Sequence, residues 1–163
     1  PSRAKEQVKN VSEVVREGIQ DVRGSLNRLR PGALEERTLK DALEKTIREY
    51  QILSNLQVDL NYEWIDVDMD VMIEDTIFRV IQESMTNAVR HGHASHMDLH
   101  FFEDEEDYMI ELQDNGVGFE TLTYGYGLKQ MMERISILGG QLQFESRDGF
   151  FTRVSLPKYK EGR

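Results

Sequence analysis

The sequence predicts a two-layer α/β sandwich: a mixed, mainly antiparallel sheet with helices on one face, preceded by a long N-terminal helix. Three observations point there. From residue 39 the hydrophobic patterns run helix, strand, helix, strand, strand, glycine-rich loop, helix, strand, strand. The three closing strand pairings look like hairpins, which favours antiparallel neighbours over a doubly wound sheet. Residues 1–30 differ in kind, carrying one narrow apolar seam and a charge of opposite sign to the rest.

The seam consists of Val8, Val11, Val15, Gly18 or Ile19, Val22, Leu26 and Leu29, at spacings of three and four. It predicts one helix over residues 5–30, too long and narrow to be buried alone, so it asks for a partner helix. Packing on its own domain is the alternative. Residues 1–30 hold seven basic and four acidic side chains, whereas the remainder is strongly acidic. The expected boundary lies at Arg30-Pro31-Gly32, giving a helical unit over 1–31 and a domain over 32–163.

Leu39, Leu43, Ile47 and Tyr50 or Gln51 share a face, predicting a helix from Leu39 to about Asn55. Leu56, Val58, Leu60 and Tyr62 alternate over 56–63, the pattern of a strand with one wet face. A helix follows from about Asp70 to His91, then strands over His96–Phe102 and Tyr108–Gln113. The acidic run Glu103–Asp107 between them reads as a solvated hairpin tip, because like charges stay hydrated. A glycine-rich stretch from Gly116 to Gly127 leads into a helix expected from Leu128 to Leu138, closed by Gly139-Gly140. Strands Gln141–Ser146 and Phe150–Leu156 are joined by a tight Asp148-Gly149 turn, and the basic tail Lys158–Arg163 is expected to fray. Tyr62 and Trp64 read as core or edge residues.

The 163 residues, 19.0 kDa in mass, suffice for one domain plus an appendage. The net charge of −10 argues against a nucleic-acid partner. With no cysteine there is neither a disulfide framework nor a thiolate metal site, which fits a cytoplasmic domain. The mean hydropathy of −0.57, and the lack of an apolar run long enough to span a bilayer, predict a soluble fragment.

Three pieces of sequence carry chemistry. On a helical wheel Glu83, Asn87, Arg90 and His91 form a polar stripe apart from Ile77, Ile81, Met85 and Ala88. Asn and Glu offer hard oxygens suited to Mg²⁺, and Arg and His suit phosphate, although an ordinary solvated face has the same pattern. Asp114-Asn115-Gly116-Val117-Gly118-Phe119 follows a strand; the glycines admit a ligand ring, and the carboxylate can accept from an exocyclic amine. A plain strand exit would also explain it. Gly125-Tyr126-Gly127-Leu128 precedes a helix whose free N–H groups attract phosphate, or is simply a flexible loop.

Their order resembles the ATP-binding domain shared by sensor histidine kinases, gyrases, heat-shock chaperones and mismatch-repair ATPases (the GHKL fold), over about residues 39–157. Residues 78–91, FRVIQESMTNAVRH, are similar to the N box of NarL/DesK-type two-component sensor kinases. The segment Gly125–Gly140, with Met131, Glu133-Arg134 and Leu138-Gly139-Gly140, and the helix ending Val22-Arg23 and Leu29-Arg30-Pro31, also resemble theirs, the latter the second helix of the dimerisation hairpin.

The resemblance implies ATP and Mg²⁺ as cofactors. Asn87 would bind the Mg²⁺ that bridges the phosphates, with Arg90 and His91 nearby. Asp114 would accept from the adenine amino group, and Gly116 and Gly118 would line the purine pocket. Gly125, Gly127 and Leu128 would close over the phosphates. Thr152, in the closing turn Asp148–Thr152, belongs to the same implied nucleotide set. Glu83 occupies the position that activates water in the family's ATPases, a role a histidine kinase does not require. The implied reaction is γ-phosphoryl transfer to a histidine and relay to a response-regulator aspartate, in a homodimer held by the N-terminal helix. Membrane anchoring would come only through other segments of the intact protein.

Three features qualify this. No histidine precedes His91, so the acceptor helix is expected to be missing and the fragment not to phosphorylate itself. The closing turn is bulkier than the family's usual Gly-Thr, and the lid between Gly118 and Gly125 (Phe119 to Tyr124) is short. An anti-sigma-factor-type serine kinase and a non-catalytic partner-binding module are the rival readings. The first has no use for the long helix, and the second no reason to keep Glu83, Asn87 and Asp114 in register. His91, His93, His96 and His100 could suggest a metal site, but without cysteine or convergent rigid elements that reading is disfavoured.

Overall fold

The chain divides into two units, Pro1–Thr38 and Leu39–Arg163. The structure, a computed structural model, describes residues 38–119 and 125–158. The expected helix over 5–30, most of the lid and the end of the basic tail lie outside the described residues.

Helix α1 (Leu39–Leu53) buries Leu39, Leu43 and Ile47, with Tyr50 at the edge of the core, as its spacing predicts. It stops short of Asn55, ending where the Ser54 hydroxyl joins the helical amide of Ser54 on the Tyr50 carbonyl, at 2.8 and 2.9 Å. Strand β1 (Gln57–Tyr62) follows. The α1 side chain of Gln51 holds its start, accepting from the Val58 amide at 3.0 Å.

Helix α2 (Val71–Arg90) begins at Asp70, whose Oδ1 accepts from the Met72 amide at 2.8 Å, the interaction expected of an N-cap aspartate. Ile77, Ile81, Met85 and Ala88 are buried, so the apolar face predicted from the wheel is the core face. Strands β2 (His96–Glu103) and β3 (Asp107–Asp114) form the predicted hairpin. Its acidic tip is more than a solvated run. The Asp104 carboxylate accepts from the amides of Glu106 and Asp107 at 2.9 and 2.7 Å, which lowers its pKa from the ordinary aspartate value. Lys158 brings its ammonium to Glu103 at 3.4 Å.

Helix α3 (Tyr126–Ile137) starts two residues before the predicted Leu128, with Gly125 as N-cap. Gly127 therefore lies in the first helical turn. Glycine is costly mid-helix but less so at an end, and a Gly-x-Gly run masks where the helix begins. Gly139, at φ +75°, ends the helix as expected, and the Gly140 amide returns to the Ile135 carbonyl at 3.0 Å. Strands β4 (Gln141–Ser146) and β5 (Phe150–Pro157) close the chain. Ser146 pairs with Phe150, so the turn has three residues, Arg147-Asp148-Gly149, not two. Asp148 and Gly149 both adopt positive φ, 48° and 134°.

The sheet order is β1-β2-β3-β5-β4, with β1 parallel to β2 and every other pair antiparallel. The parallel pair is possible because α2 supplies the long crossover between them. Alternate residues (Val58; Met97, Leu99, Phe101; Ile110, Leu112; Val154, Leu156) join the helices in one core, the predicted sandwich. Trp64 is buried as expected, its indole N–H donating to the Phe102 carbonyl at 2.6 Å. Burial pushes the neighbouring Tyr62 phenol up to about 12, and the Glu74 carboxylate adds to the effect. On the opposite face Phe151 lies beneath the guanidinium groups of Arg147 and Arg153, at 4.1 and 5.3 Å from its ring. Among the described residues no helix is long and apolar enough to cross a membrane.

Candidate functional site

The polar stripe of α2 stands where the wheel puts it. Glu83, Asn87 and Arg90 are half-buried and His91, the C-cap, is exposed. The backbone carbonyl of Asn87 is committed to the helix end, accepting from the amides of His91 and Gly92 at 3.0 and 3.1 Å. Its side-chain amide has no partner among the described residues, and neither has the Glu83 carboxylate. Two oxygen donors one turn apart are thus held on the same helix with nothing among the described residues to satisfy them. Glu83 faces the start of α3 so closely that a Cβ on Gly127 would overlap its carboxylate.

Asp114, at the end of β3, is 5% exposed. Its Oδ1 accepts from the amides of Gly116 at 2.8 Å and Phe150 at 2.9 Å. Both bonds fall on the same oxygen, so Oδ2 remains able to accept from a ligand. Thr152 is buried on the same face of the sheet, diagonal to Asp114 across the β3–β5 pairing.

The loop after Asp114 is pinned to the end of α2. The Val117 amide donates to the Gly92 carbonyl at 3.0 Å, and Gly116 lies flat on Gly92. A Cβ at Gly116 would meet the Gly92 oxygen at 2.5 Å, backbone against backbone. Gly118 adopts φ +66°, and beyond it the Phe119 amide donates to the Ser146 hydroxyl at 3.1 Å. The Asn115 side chain accepts from the amides of Ser95 and His96 at 2.9 and 3.0 Å.

The three predicted pieces therefore meet: α2 touches the Asp114 loop through Gly92 and the start of α3 through Glu83. Gly125 is exposed at the N-terminus of α3, with open space where a Cβ would stand, while Leu128 turns into the core. Sequence reasoning missed Gly92, Asn115, Ser146, Gly149 and Phe150. Gly92 was signalled by its place directly after a helix end, and Gly149 by the Asp-Gly pair; the Phe150 amide left no sequence signal. The histidines disperse. His91 caps α2, His93 sits in the following turn at φ 50°, and His100 bonds Glu63 at 2.6 Å. His96 lies between Asp59 and Asp98.

Residues 72–160 match the family model described as histidine kinase-, DNA gyrase B- and HSP90-like ATPase. The chain belongs to that family. It is an ATP-binding domain of the kind the motifs resemble. It is 36% identical over 147 residues to the signal transduction histidine-protein kinase/phosphatase UhpB of Salmonella typhimurium, covering 86% of this chain and 29% of that protein. It is 32% identical over 153 residues to the sensor histidine kinase YxjM of Bacillus subtilis, covering 92% of this chain and 37% of that one. The chain thus spans well under half the length of these relatives. Among solved structures the Acinetobacter baumannii histidine kinase AdeS superposes with a TM-score of 0.66 at 17% identity, over 91% of this chain and 84% of that one, a likeness of fold.

Proposed function

We propose that this chain is the catalytic domain of a bacterial sensor histidine kinase, which binds Mg-ATP and passes the γ-phosphoryl group to a histidine for relay to a response-regulator aspartate. The observation that carries the reading is the state of Asp114: one oxygen locked by two backbone amides, the other left as an acceptor beside the loop that Gly116 packs onto Gly92. A carboxylate oxygen left as an acceptor suits the exocyclic amine of adenine. Glu83 and Asn87, hard oxygen donors without a side-chain partner among the described residues, fit Mg²⁺. When bound, the ion neutralises phosphate charge, the main requirement of phosphoryl transfer.

In this reading Asn87 ligates the ion, Arg90 and His91 stand by the phosphates, and the N-terminus of α3 at Gly125, Gly127 and Leu128 receives them. Thr152 completes the base end beside Asp114. Helix α3 contributes free amides and a positive dipole end, which hold an anion in place without side-chain charge. Glu83 serves as an ion- and water-orienting carboxylate rather than as an obligatory base, because an imidazole nucleophile attacks phosphorus with its own lone pair. The bond from phosphorus to the bridging oxygen breaks as the N–P bond forms, and ADP leaves.

All four histidines lie at or after His91, none in a segment resembling an acceptor helix. In this reading the acceptor is a histidine supplied by a separate hairpin, and the apolar seam of residues 5–30 is what supports assigning them to such a hairpin. The domain works at the cytoplasmic side, with the intact protein anchored in the membrane by other segments. The test is transfer in trans. This chain with γ-labelled ATP should leave itself unlabelled, and should label a separately expressed hairpin carrying the acceptor histidine. The label should be acid-labile and base-stable, as phosphohistidine is. Acid-stable label on a serine, or no label on any hairpin while nucleotide is bound, overturns the assignment.

A further inference from the structure

The face of the sheet that carries no helices holds a side-chain cluster the kinase reading does not use. Asp59 of β1 and Asp98 of β2 are direct partners in the parallel ladder, so their side chains stand next to one another on that face. Two carboxylates facing each other across a ladder repel and weaken the pair unless a cation offsets them. No lysine or arginine is paired with either among the described residues; His96, two residues before Asp98, fills that place. Its Nε2 lies 3.1 Å from Asp98 Oδ1 and 3.3 Å from Asp59 Oδ2, and only the first contact has hydrogen-bond geometry. A neutral ring nitrogen has one proton or one lone pair to offer, so it cannot serve both carboxylates fully.

We propose that Asp59, His96 and Asp98 form a binding site for a first-row divalent metal ion of the zinc type. One imidazole and two carboxylates form an N/O donor set of the kind Zn²⁺ accepts, and their three ligand atoms lie within 4.8 Å of one another. Bonds of about 2.0–2.2 Å around a tetrahedral ion put neighbouring ligand atoms about 3.3–3.5 Å apart. The two contacts to Nε2 already approach that spacing, so ligation asks for rotamer adjustment rather than strand movement. The ligands sit on paired strands, not on a loop. The aspartate side chains are 63% and 65% exposed, which leaves water free to supply the fourth position and the ion a way in. The backbone of His96 is tied at both its amide and its carbonyl to Asn115, so the first residue of β2 is fixed. The ion would fasten the edge strand β1 to the sheet, on the face opposite Asp114 and apart from the proposed Mg²⁺ position.

The experiment is calorimetric titration of the full chain with Zn²⁺ alone, in a non-chelating buffer, on wild type, His96→Gln, Asp59→Asn and a His100→Gln control. Metal-free melting of each variant verifies its fold. The expected result is one ion per chain, with His100→Gln unchanged and His96→Gln and Asp59→Asn weakened more than the roughly 10–100-fold typical of losing an outer-shell partner. Co²⁺ in place of Zn²⁺ should give visible bands of a four-coordinate site, absent from His96→Gln. Absence of saturable binding in the wild type, or equal binding in His96→Gln and Asp59→Asn, overturns the proposal. Neither readout needs nucleotide, so the kinase assignment stands or falls separately.

Discussion

Substituting Asp114 separates its two jobs. Oδ1 accepts two backbone amides at 2.8 and 2.9 Å, and bonds to a charged acceptor contribute about 1.5–3 kcal/mol each. Asp114→Ala forfeits both, with a ceiling of roughly 3–6 kcal/mol, less in practice because the bonds share one acceptor and do not add in full. Asp114→Asn keeps an oxygen where Oδ1 stands. Neutral bonds are about half as strong, so it should cost roughly 1.5–3 kcal/mol and leave a domain of ordinary stability folded. Its NH₂ group, however, replaces Oδ2 and turns the acceptor proposed for adenine into a donor. Loss of one charge-assisted bond there weakens nucleotide binding by about 10- to 100-fold at roughly 1.4 kcal/mol per decade. Urea unfolding reads the first effect through the fluorescence of Trp64, the chain's single tryptophan, buried in the core. Calorimetry with a non-hydrolysable ATP analogue and Mg²⁺ reads the second. A folded Asp114→Asn that binds the analogue as the wild type does would refute the reasoning, leaving Asp114 as a turn brace alone.

Two other predictions concern packing and pH. Gly116→Ala drives a methyl group to 2.5 Å from the Gly92 carbonyl, with backbone on both sides and no side chain to yield. Destabilisation of about 1–3 kcal/mol is expected, and an unchanged urea midpoint would mean the loop does not rest on α2. The Glu74 carboxyl is raised above the ordinary glutamate value by burial and then by the charge of Asp68. A raised acid contributes stability below its unfolded pKa, and that contribution is lost as pH rises through the folded value. Ionised Glu74 is therefore unfavourable at neutral pH. Glu74→Gln should melt higher at pH 7, with the gain vanishing below about pH 4. It should also lower the Tyr62 phenol from about 12 without returning it to 10, because burial is the larger cause. Tyrosinate absorbance checks this, and a Tm gain that persists in acid would reject the account.

The elements that were legible in the sequence are those whose side chains carry the information. Helix α2 is announced by Asp70 at its cap and by Ile77, Ile81, Met85 and Ala88 at helical spacing, and its polar stripe follows from the same periodicity. The strands show themselves by alternation because one face meets the core and the other water. The start of α3 was hidden because Gly125 and Gly127 announce flexibility whether or not they are helical. The three-residue turn before β5 was hidden because Asp-Gly suits several turn types. The clamp on Asp114 was hidden for a deeper reason. Phe150 acts through its amide, which every residue but proline possesses, and it reaches Asp114 only because β5 pairs with β3 in that register. The Asp59–His96–Asp98 cluster likewise exists only through the parallel pairing of β1 with β2, which a helix-length separation conceals from any local pattern.

The same contrast explains how the site is held together. Among the described residues neither Asn87 nor Asp114 hydrogen-bonds the other's element through its own side chain; the bonded junction is made of backbone. The Asn87 carbonyl takes the Gly92 amide, the Gly92 carbonyl takes the Val117 amide, and Gly116 rests on Gly92 with no room for a Cβ between them. Val117 in turn follows the Gly116 whose amide binds Asp114. A chain of main-chain bonds thus runs from the helix that would hold the ion to the carboxylate that would hold the base. Backbone links of this kind have no rotamers to lose, so the spacing between the two ends is set by the fold itself rather than by side-chain packing. Glycine at 116 is then a metric requirement of the proposed nucleotide site, because only its Cβ would stand between the loop and Gly92. In that reading a larger residue at 116 would push the Asp114 loop away from the end of α2, and so change the spacing between the proposed ion and base positions, without replacing either Asn87 or Asp114.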